Sequence, residues 1–276
     1  MAAFIHIITT RFNVPTENWD QTRAGHTALT DEWHEHRFEL FQKYTFPSFK
    51  NQKNKNFVWL VFFDVKTKTK YRKVIRTLEQ EFPNFTAVFV QNGGEINSGI
   101  TDIFKNYFQK DTQFVISTDI DNDDLLHDEF VDTIQSLYKP VHNSVIDLRR
   151  GLQMSLVKEN QVLINEYYAV ANPFVSLVEN INSFKTIMNE WHNNFRHYDS
   201  VTSYDQKPLF IQLIHTHNLM NRQLKTKALL KINFSEYGIP AAHIPEILKY
   251  KTLFHNLKRI PQIFKKLILS KGWKSV

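Results

Sequence analysis

The chain has 276 residues, of which 42% are hydrophobic and 14% aromatic, with 23 Phe, 7 Gly and no Cys. That length and apolar content suit a packed core and exclude global disorder; the absence of Cys excludes a disulfide scaffold, a thiolate zinc site and a thiol nucleophile. The formal net charge of +6 is unevenly spread: eight Lys and Arg and no acidic residue follow Glu246, which leaves 26 basic against 28 acidic groups up to that point. The sequence is a nearly neutral body with a basic tail. Its first residues are apolar but interrupted by His6 and lack a basic leader, so they do not read as a signal peptide, and no run approaches the ~20 apolar residues that span a bilayer. A cytoplasmic protein is expected.

Residues 4–9 form a β-rich run that leads into Thr9, Thr10 and Arg11. Asp31 suits the N-cap of a helix over residues 31–45, where Trp33, Arg37, Leu40, Phe41 and Tyr44 recur at helical spacing and Pro47 closes the segment. Residues 57–63 are continuously apolar, as in a strand covered on both faces, with Asp64 at its carboxyl end. A helix over 69–81, a strand over 85–90, a helix over 98–109, a strand over 113–117 and a helix over 127–138 continue the alternation. This order predicts an α/β fold with an open, mostly parallel sheet in its first half. Ligands of such sheets bind beyond the carboxyl ends of the strands, the edge on which Thr9, Thr10, Arg11 and Asp64 fall. After residue 140 the pattern changes to strands over 143–148, 152–157 and 161–168, with Lys158-Glu159-Asn160 as a hairpin turn, then helices near 176–194 and 204–222. The expected organisation is one domain over residues 1–243 with an α+β second half. A basic amphipathic extension over 244–276, broken at Pro245 and Pro261, follows it.

The strongest chemical feature is an acidic loop, Asp119-Ile120-Asp121-Asn122-Asp123-Asp124, directly after an apolar strand. Alternate side chains point the same way in extended backbone, so Asp119, Asp121 and Asp123 converge on one point. Crowded like charges call for a counter-ion, and a divalent metal is the simplest one; the alternative is a solvated loop that caps the following helix. An EF-hand is excluded because its Gly and Glu positions hold Asp124 and Phe130. The position after a later strand favours the Asp-x-Asp loop of nucleotide-sugar glycosyltransferases over an aspartyl phosphatase. Residues 94–99 have the glycine spacing of a phosphate loop, but Ile100 stands where Lys is required, and there is no Gly-x-Gly-x-x-Gly or Gly-x-Ser-x-Gly. His34-Glu35-His36 lacks the spacing of two ligands on one helix face and reads as helix surface.

Several segments, taken in order, resemble the putative rhamnosyltransferase family of bacterial glycosyltransferases over residues 6–225. They are Thr9-Thr10-Arg11-Phe12-Asn13, the Trp-x-x-x-Arg-Phe-x-Leu-Phe run from Trp33 with Pro47-Ser48-Phe49, and the strand ending in Asp64. Asp121-Asn122-Asp123-Asp124, Asn172-Pro173-Phe174-Val175-Ser176 and Ile214-His215-x-x-Asn218-Leu-x-Asn221 complete the set. Members often have Arg-Leu before the acidic loop, where this chain has Asp119-Ile120. The resemblance implies a GT-A-like nucleotide-diphospho-sugar transferase fold with an α+β acceptor half. It implies a metal-dependent glycosyltransferase that moves a sugar, rhamnose among the candidates, from a nucleoside-diphosphate sugar to a saccharide acceptor in surface polysaccharide synthesis. Asp121 and Asp123 would hold Mn²⁺ or Mg²⁺, with His215 as a late ligand favouring Mn²⁺. Thr9, Thr10, Arg11, Asp64, Asp119 and Asp121 would contact the nucleotide sugar. The candidates for a general base are Asp205, Asp199 and Glu166, with Tyr167, Tyr168, Trp191 and Tyr198 near them in sequence. The competing class is a non-catalytic metal- or polyanion-binding α/β protein. Nucleic acid is not expected as a partner, whereas the tail suits an anionic membrane surface, which would place the enzyme on the membrane's inner face.

Overall fold

The computed structural model describes residues 3–16, 29–158, 160–216 and 223–271. The first sheet grows from β1 (Phe4–Arg11), which pairs in parallel with β2 (Val58–Asp64) on one side and β4 (Phe114–Asp119) on the other; β3 (Phe85–Val90) extends it beyond β2. The expected α/β fold with a parallel first half is therefore present, and its strands lie within two residues of the predicted bounds.

Alternation along β2 decides what covers each face. Trp59, Val61 and Phe63 pack with α3 (Thr69–Glu81) through Tyr71, Ile75 and Leu78, whereas Leu60 and Phe62 pack with α4 (Gly93–Lys105) through Ile96, Ile100 and Phe104. A strand buried on both faces needs apolar residues at every position, which is why this run carries no alternation. Helix α4 starts five residues earlier than its predicted start because the Asn92 side chain accepts from the Glu95 amide and caps it.

The helical segment opened by α1 (Asp31–Leu40) does not close at Pro47. A π-helical turn (Phe41–Thr45) follows it, and α2 (Phe46–Lys50) restarts with Pro47 in its first turn, where a missing N–H costs no hydrogen bond. The segment lays Phe38, Phe41, Phe46 and Phe49 over the sheet. Phe49 stacks on Trp59 with ring centroids 3.6 Å apart, and the Trp59 indole donates to the Thr10 hydroxyl at 3.0 Å. The abundance of Phe is spent here, in one interlocked aromatic layer.

The second half departs further from expectation. Residues assigned to a helix near 176–194 instead open with β9 (Ser176–Asn180), inserted antiparallel between β4 and β6 (Ser144–Leu148). Part of the helix expected near 204–222 is β11 (Phe210–Ile214); Ser200–Tyr204 forms β10 beside β6, and residues 217–222 lie outside those described. Both strands are runs of buried residues too short to separate from a helical face by apolar content alone. The first sheet has the order β10-β6-β9-β4-β1-β2-β3.

A second sheet contains β5 (Leu125–Leu126), β7 (Arg150–Lys158), β8 (Gln161–Tyr168), β11 and β12 (Ala228–Leu229), in the order β12-β8-β7-β11-β5. The predicted hairpin joins β7 to β8; Asn160 takes a left-handed φ of 55°, and Glu159 lies outside the described residues. Gly151 on β7 is required by the close approach of the Phe210 ring, which would lie 2.1 Å from an added Cβ. The helix predicted over 127–138 is shorter, α5 (Phe130–Ser136). In the tail, β13 (Glu246–Ile247) pairs with β8, and α6 (Lys249–Lys271) runs through Pro261 rather than breaking there.

One buried group ties acid stability to the sheet. His6 on β1 is 1% exposed, its Nε2 lies 3.0 Å from the Thr118 hydroxyl, and burial lowers its pKa to about 3. The unfolded chain therefore binds a proton there near pH 6.5 that the folded chain refuses, so stability falls as pH drops from about 6.5 toward 3. Between pH 7.5 and 5 this one histidine should cost about 2 kcal/mol. The check is urea unfolding of the wild type and His6→Asn: the stability gap between them should narrow by that amount on acidification, and parallel curves would contradict it.

Candidate functional site

The acidic loop is the crossover between the two sheets: it leaves β4 at Asp119 and enters β5 at Leu125. Three anchors fix its path. The Asn122 amide donates to the carbonyls of Arg11 (3.0 Å) and Phe12 (2.8 Å) at the end of β1. Thr45 in the π-helical turn donates to the Asn122 carbonyl at 3.1 Å. The Asp124 carboxylate accepts the Leu213 amide of β11 at 2.9 Å.

These anchors bend the loop, so the strict alternation expected of extended backbone fails. Asp121, Asp123 and Asp124 are the carboxylates that gather, each offering an oxygen within 4.8 Å of the others. Asp119 stays in β4 and faces a different partner set. Asp124, which the sequence pattern did not single out, takes its place.

Asp123 is the best-held member. Its side chain is 4% exposed and meets the Arg37 guanidinium at 2.7 Å and His215 Nε2 at 2.9 Å. Burial alone would raise its pKa, but Arg37 and His215 overcome that and hold it down at about 2. Arg37 also donates to the Asn122 side chain at 2.8 Å, which joins α1 to the loop. Asp121 keeps an exposed edge, yet the protein packed around it, and then the Asp123 and Asp119 charges, push it up to about 6. Asp124 is raised by burial first and then by Asp123 and Asp121. Such opposed shifts within one cluster are what a cation would relieve, because it favours the charged form of every carboxylate at once. The donor set is hard and anionic, as Mg²⁺ and Mn²⁺ prefer.

The other expected site residues divide between this cluster and elsewhere. His215 reaches the cluster through Asp123, and its Nδ1 lies 3.3 Å from His36 Nε2, so His36 is part of the site rather than plain helix surface. Burial lowers the His215 pKa, against the pull of Asp123. Thr9 and Arg11 share one face of β1 and converge on Asp119, with Thr9 Oγ1 at 2.8 Å from Oδ1 and Arg11 at 3.0 Å from Oδ2. Asp119 raises the Arg11 pKa further. Thr9 and Thr10 are both fully buried, but Thr10 points to the opposite face and accepts from Trp59, packed in the core and away from Asp119. Asp64 accepts the Lys66 amide at 2.7 Å and receives support from Asn13, which makes it a turn cap at the end of β2.

Strand direction separates the proposed bases. The strands β4, β6 and β10 run the same way, so Asp205, just after β10, lies on the carboxyl edge with the acidic loop. Asp199, just before β10, lies on the opposite edge and is not brought to the cluster. Glu166 sits on β8 in the second sheet, with Lys227 at 3.8 Å. Of the aromatic residues, Tyr167 is half-buried against Phe210 and pushed up to about 12 by burial and then Asp124, whereas Tyr168 and Trp191 are exposed. Asn218 and Asn221 lie outside the described residues.

A family model described as "Putative rhamnosyl transferase" matches residues 5–227. Among solved structures, Staphylococcus aureus TarS 1–349 in complex with UDP-GlcNAc aligns with a TM-score of 0.45 at 10% identity, covering 78% of this chain and 60% of that one. A second structure of TarS 1–349 gives 0.42 at 11% identity over 76% of this chain and 60% of that one. A structure described as a "putative nucleotide-diphospho-sugar transferase" from Desulfovibrio desulfuricans G20 gives 0.35 at 8% identity over 79% and 84% of the two chains. The chain thus spans about 60% of the TarS fragment. A search of curated proteins finds no match.

Proposed function

We propose that this chain, which belongs to the putative rhamnosyl transferase family, is a metal-dependent glycosyltransferase that uses a nucleoside-diphosphate sugar as donor. The observation that carries the reading is the gathering of Asp121, Asp123 and Asp124 within 4.8 Å at the carboxyl edge of β4. Asp121 and Asp123, with Asp124 beside them, would hold Mn²⁺ or Mg²⁺. When bound, the ion offsets negative charge that develops on the departing nucleoside diphosphate.

The chain's own residues do the rest. Arg37 and His215 keep Asp123 ionised and aimed, and Asn122 fixes the loop against β1. Thr9, Asp119 and Arg11 form a second polar group next to the cluster, suited to the nucleoside and its phosphates: the carboxylate accepts from hydroxyls and the guanidinium donates to phosphate oxygens. Of the three candidate bases, Asp205 follows a strand whose carboxyl end lies on the same edge as that of β4, three strands away, and it would take the proton of the attacking acceptor hydroxyl. The acceptor is a saccharide and rhamnose one candidate for the transferred sugar, in surface polysaccharide synthesis at the cytoplasmic face of a membrane.

A thermal-shift screen of nucleoside-diphosphate sugars with Mn²⁺ tests the reading. The cognate donor at about 100 times its Kd should raise the Tm by about 5 °C, only when the metal is present. If no nucleotide sugar shifts the Tm in Mn²⁺, the assignment as a transferase of this class fails.

A further inference from the structure

The C-terminal helix α6 is docked the wrong way round for a helix of a globular protein. Thr252 is fully buried, His255 lies 2.8 Å from the Thr226 carbonyl, and the Asn256 side chain accepts the Ala228 amide and donates to the Ala228 carbonyl at 2.9 and 2.8 Å. The His255 and Asn256 contacts hold the helix on β12 and β8. Tyr250, Leu253, Phe254, Leu257 and Ile260 face solvent instead, between 45% and 66% exposed. At about 100° per residue, these five fall in one arc of the helix, opposite the docked residues. Lys249 borders the arc on one side, and Lys251 and Lys258 border it on the other.

Burying polar groups and exposing a stripe of large apolar ones is costly for a helix surrounded by water, and such contiguous patches mark interaction sites. The patch continues past the helix start, where Lys231, Phe234, Ile247 and Tyr250 are among the residues lining an open groove of about 600 Å³, with exposed Leu230 at its rim. Charge selects the occupant. Lys249, Lys251 and Lys258 flank the arc, and no acidic residue follows Glu246 in the sequence, so this surface complements an anionic one. Flanking lysines around an apolar arc are the pattern of a helix lying in a lipid headgroup region. Among the described residues no helix is long and apolar enough to cross a membrane.

We propose that α6 is an interfacial helix that seats the protein on an anionic phospholipid surface, its apolar arc inserted and its polar side still docked on the second sheet. This inference stands apart from the glycosyltransferase reading, and its test uses no nucleotide sugar. Full-length protein should co-sediment with vesicles containing phosphatidylglycerol and release at high salt, and bind pure phosphatidylcholine vesicles at least about tenfold less. Leu253→Gln, Phe254→Gln and Leu257→Gln together change only exposed side chains. This triple variant should keep the wild-type Tm and lose about tenfold or more of its vesicle binding. Unchanged vesicle binding by the variant, or no binding by the wild type, would overturn the proposal. So would a wild-type dimer in sedimentation velocity that the variant dissolves, which would assign the arc to a second copy of the chain.

Discussion

Asp121→Asn should make the metal-free protein more stable and inactive at the same time. The Asp121 carboxyl is pushed up to about 6 by the surrounding protein and by Asp123 and Asp119. Its folded pKa lies above its unfolded one, so its ionisation opposes folding above that range, and the penalty fades as pH falls through 6. The neutral amide removes the penalty at neutral pH. Solvent at its exposed edge moderates the gain, so the direction is the firm part of the expectation. The same change removes a ligand from the metal site, and donor turnover should fall by about 10²–10³-fold or more. Thermal melts in EDTA and nucleotide-sugar hydrolysis in Mn²⁺ read the two effects separately. A destabilised variant, or one with normal metal-dependent activity, would contradict the role given to Asp121. Residues that stabilise a protein when removed are a mark of function rather than folding.

Asp123→Ala should behave in the opposite way. Arg37 is buried with it, at 6% side-chain exposure, and removing one member of a buried pair leaves the other charge uncompensated. The loss should be about 3–5 kcal/mol in urea unfolding. Replacing both partners, as Arg37→Met with Asp123→Leu, should recover part of that stability, because neither charge then needs a partner although His215 and Asn122 each lose a bond. It should not recover activity. That divergence separates a structural ion pair from a metal ligand: if the double variant regained turnover, Asp123 would be no more than Arg37's counter-ion.

The first half of the fold was legible because its strands are buried on both faces and its helices on one. Continuous apolar runs such as Phe57 to Phe63, followed by the 3.6-residue spacing of Tyr71, Ile75 and Leu78, leave little choice of element. The second half was not, because β9 pairs with β4 and β6, which precede it by about 60 and 30 residues, and no local pattern announces a strand inserted so far from its neighbours. The acidic loop was legible as chemistry but not as geometry. Its carboxylates stand out in the sequence, while the bend that substitutes Asp124 for Asp119 depends on Leu213, 89 residues away. Arg37 stands out only as part of the run from Trp33 that carries the resemblance, with no role attached, and His36 reads as helix surface. They join the site from α1, through contacts with Asn122 across 85 residues and with His215 across 179. Thr10 shows the reverse case: it lies within a motif shared with the family, yet the pleat turns it to the core and leaves its neighbours Thr9 and Arg11 on the side of Asp119.

The central claim is that the Asp121–Asp124 cluster holds a divalent ion for a nucleoside diphosphate. Electron paramagnetic resonance of Mn²⁺ titrated into the full-length protein, alone and with each of a panel of nucleoside diphosphates, measures this without requiring the sugar or the acceptor. One Mn²⁺ should bind per chain, more tightly with one nucleoside diphosphate of the panel, and binding should be lost in Asp121→Asn with its thermal unfolding still cooperative. Undiminished Mn²⁺ binding by that variant, or no binding by the wild type with any of the nucleoside diphosphates, would contradict it.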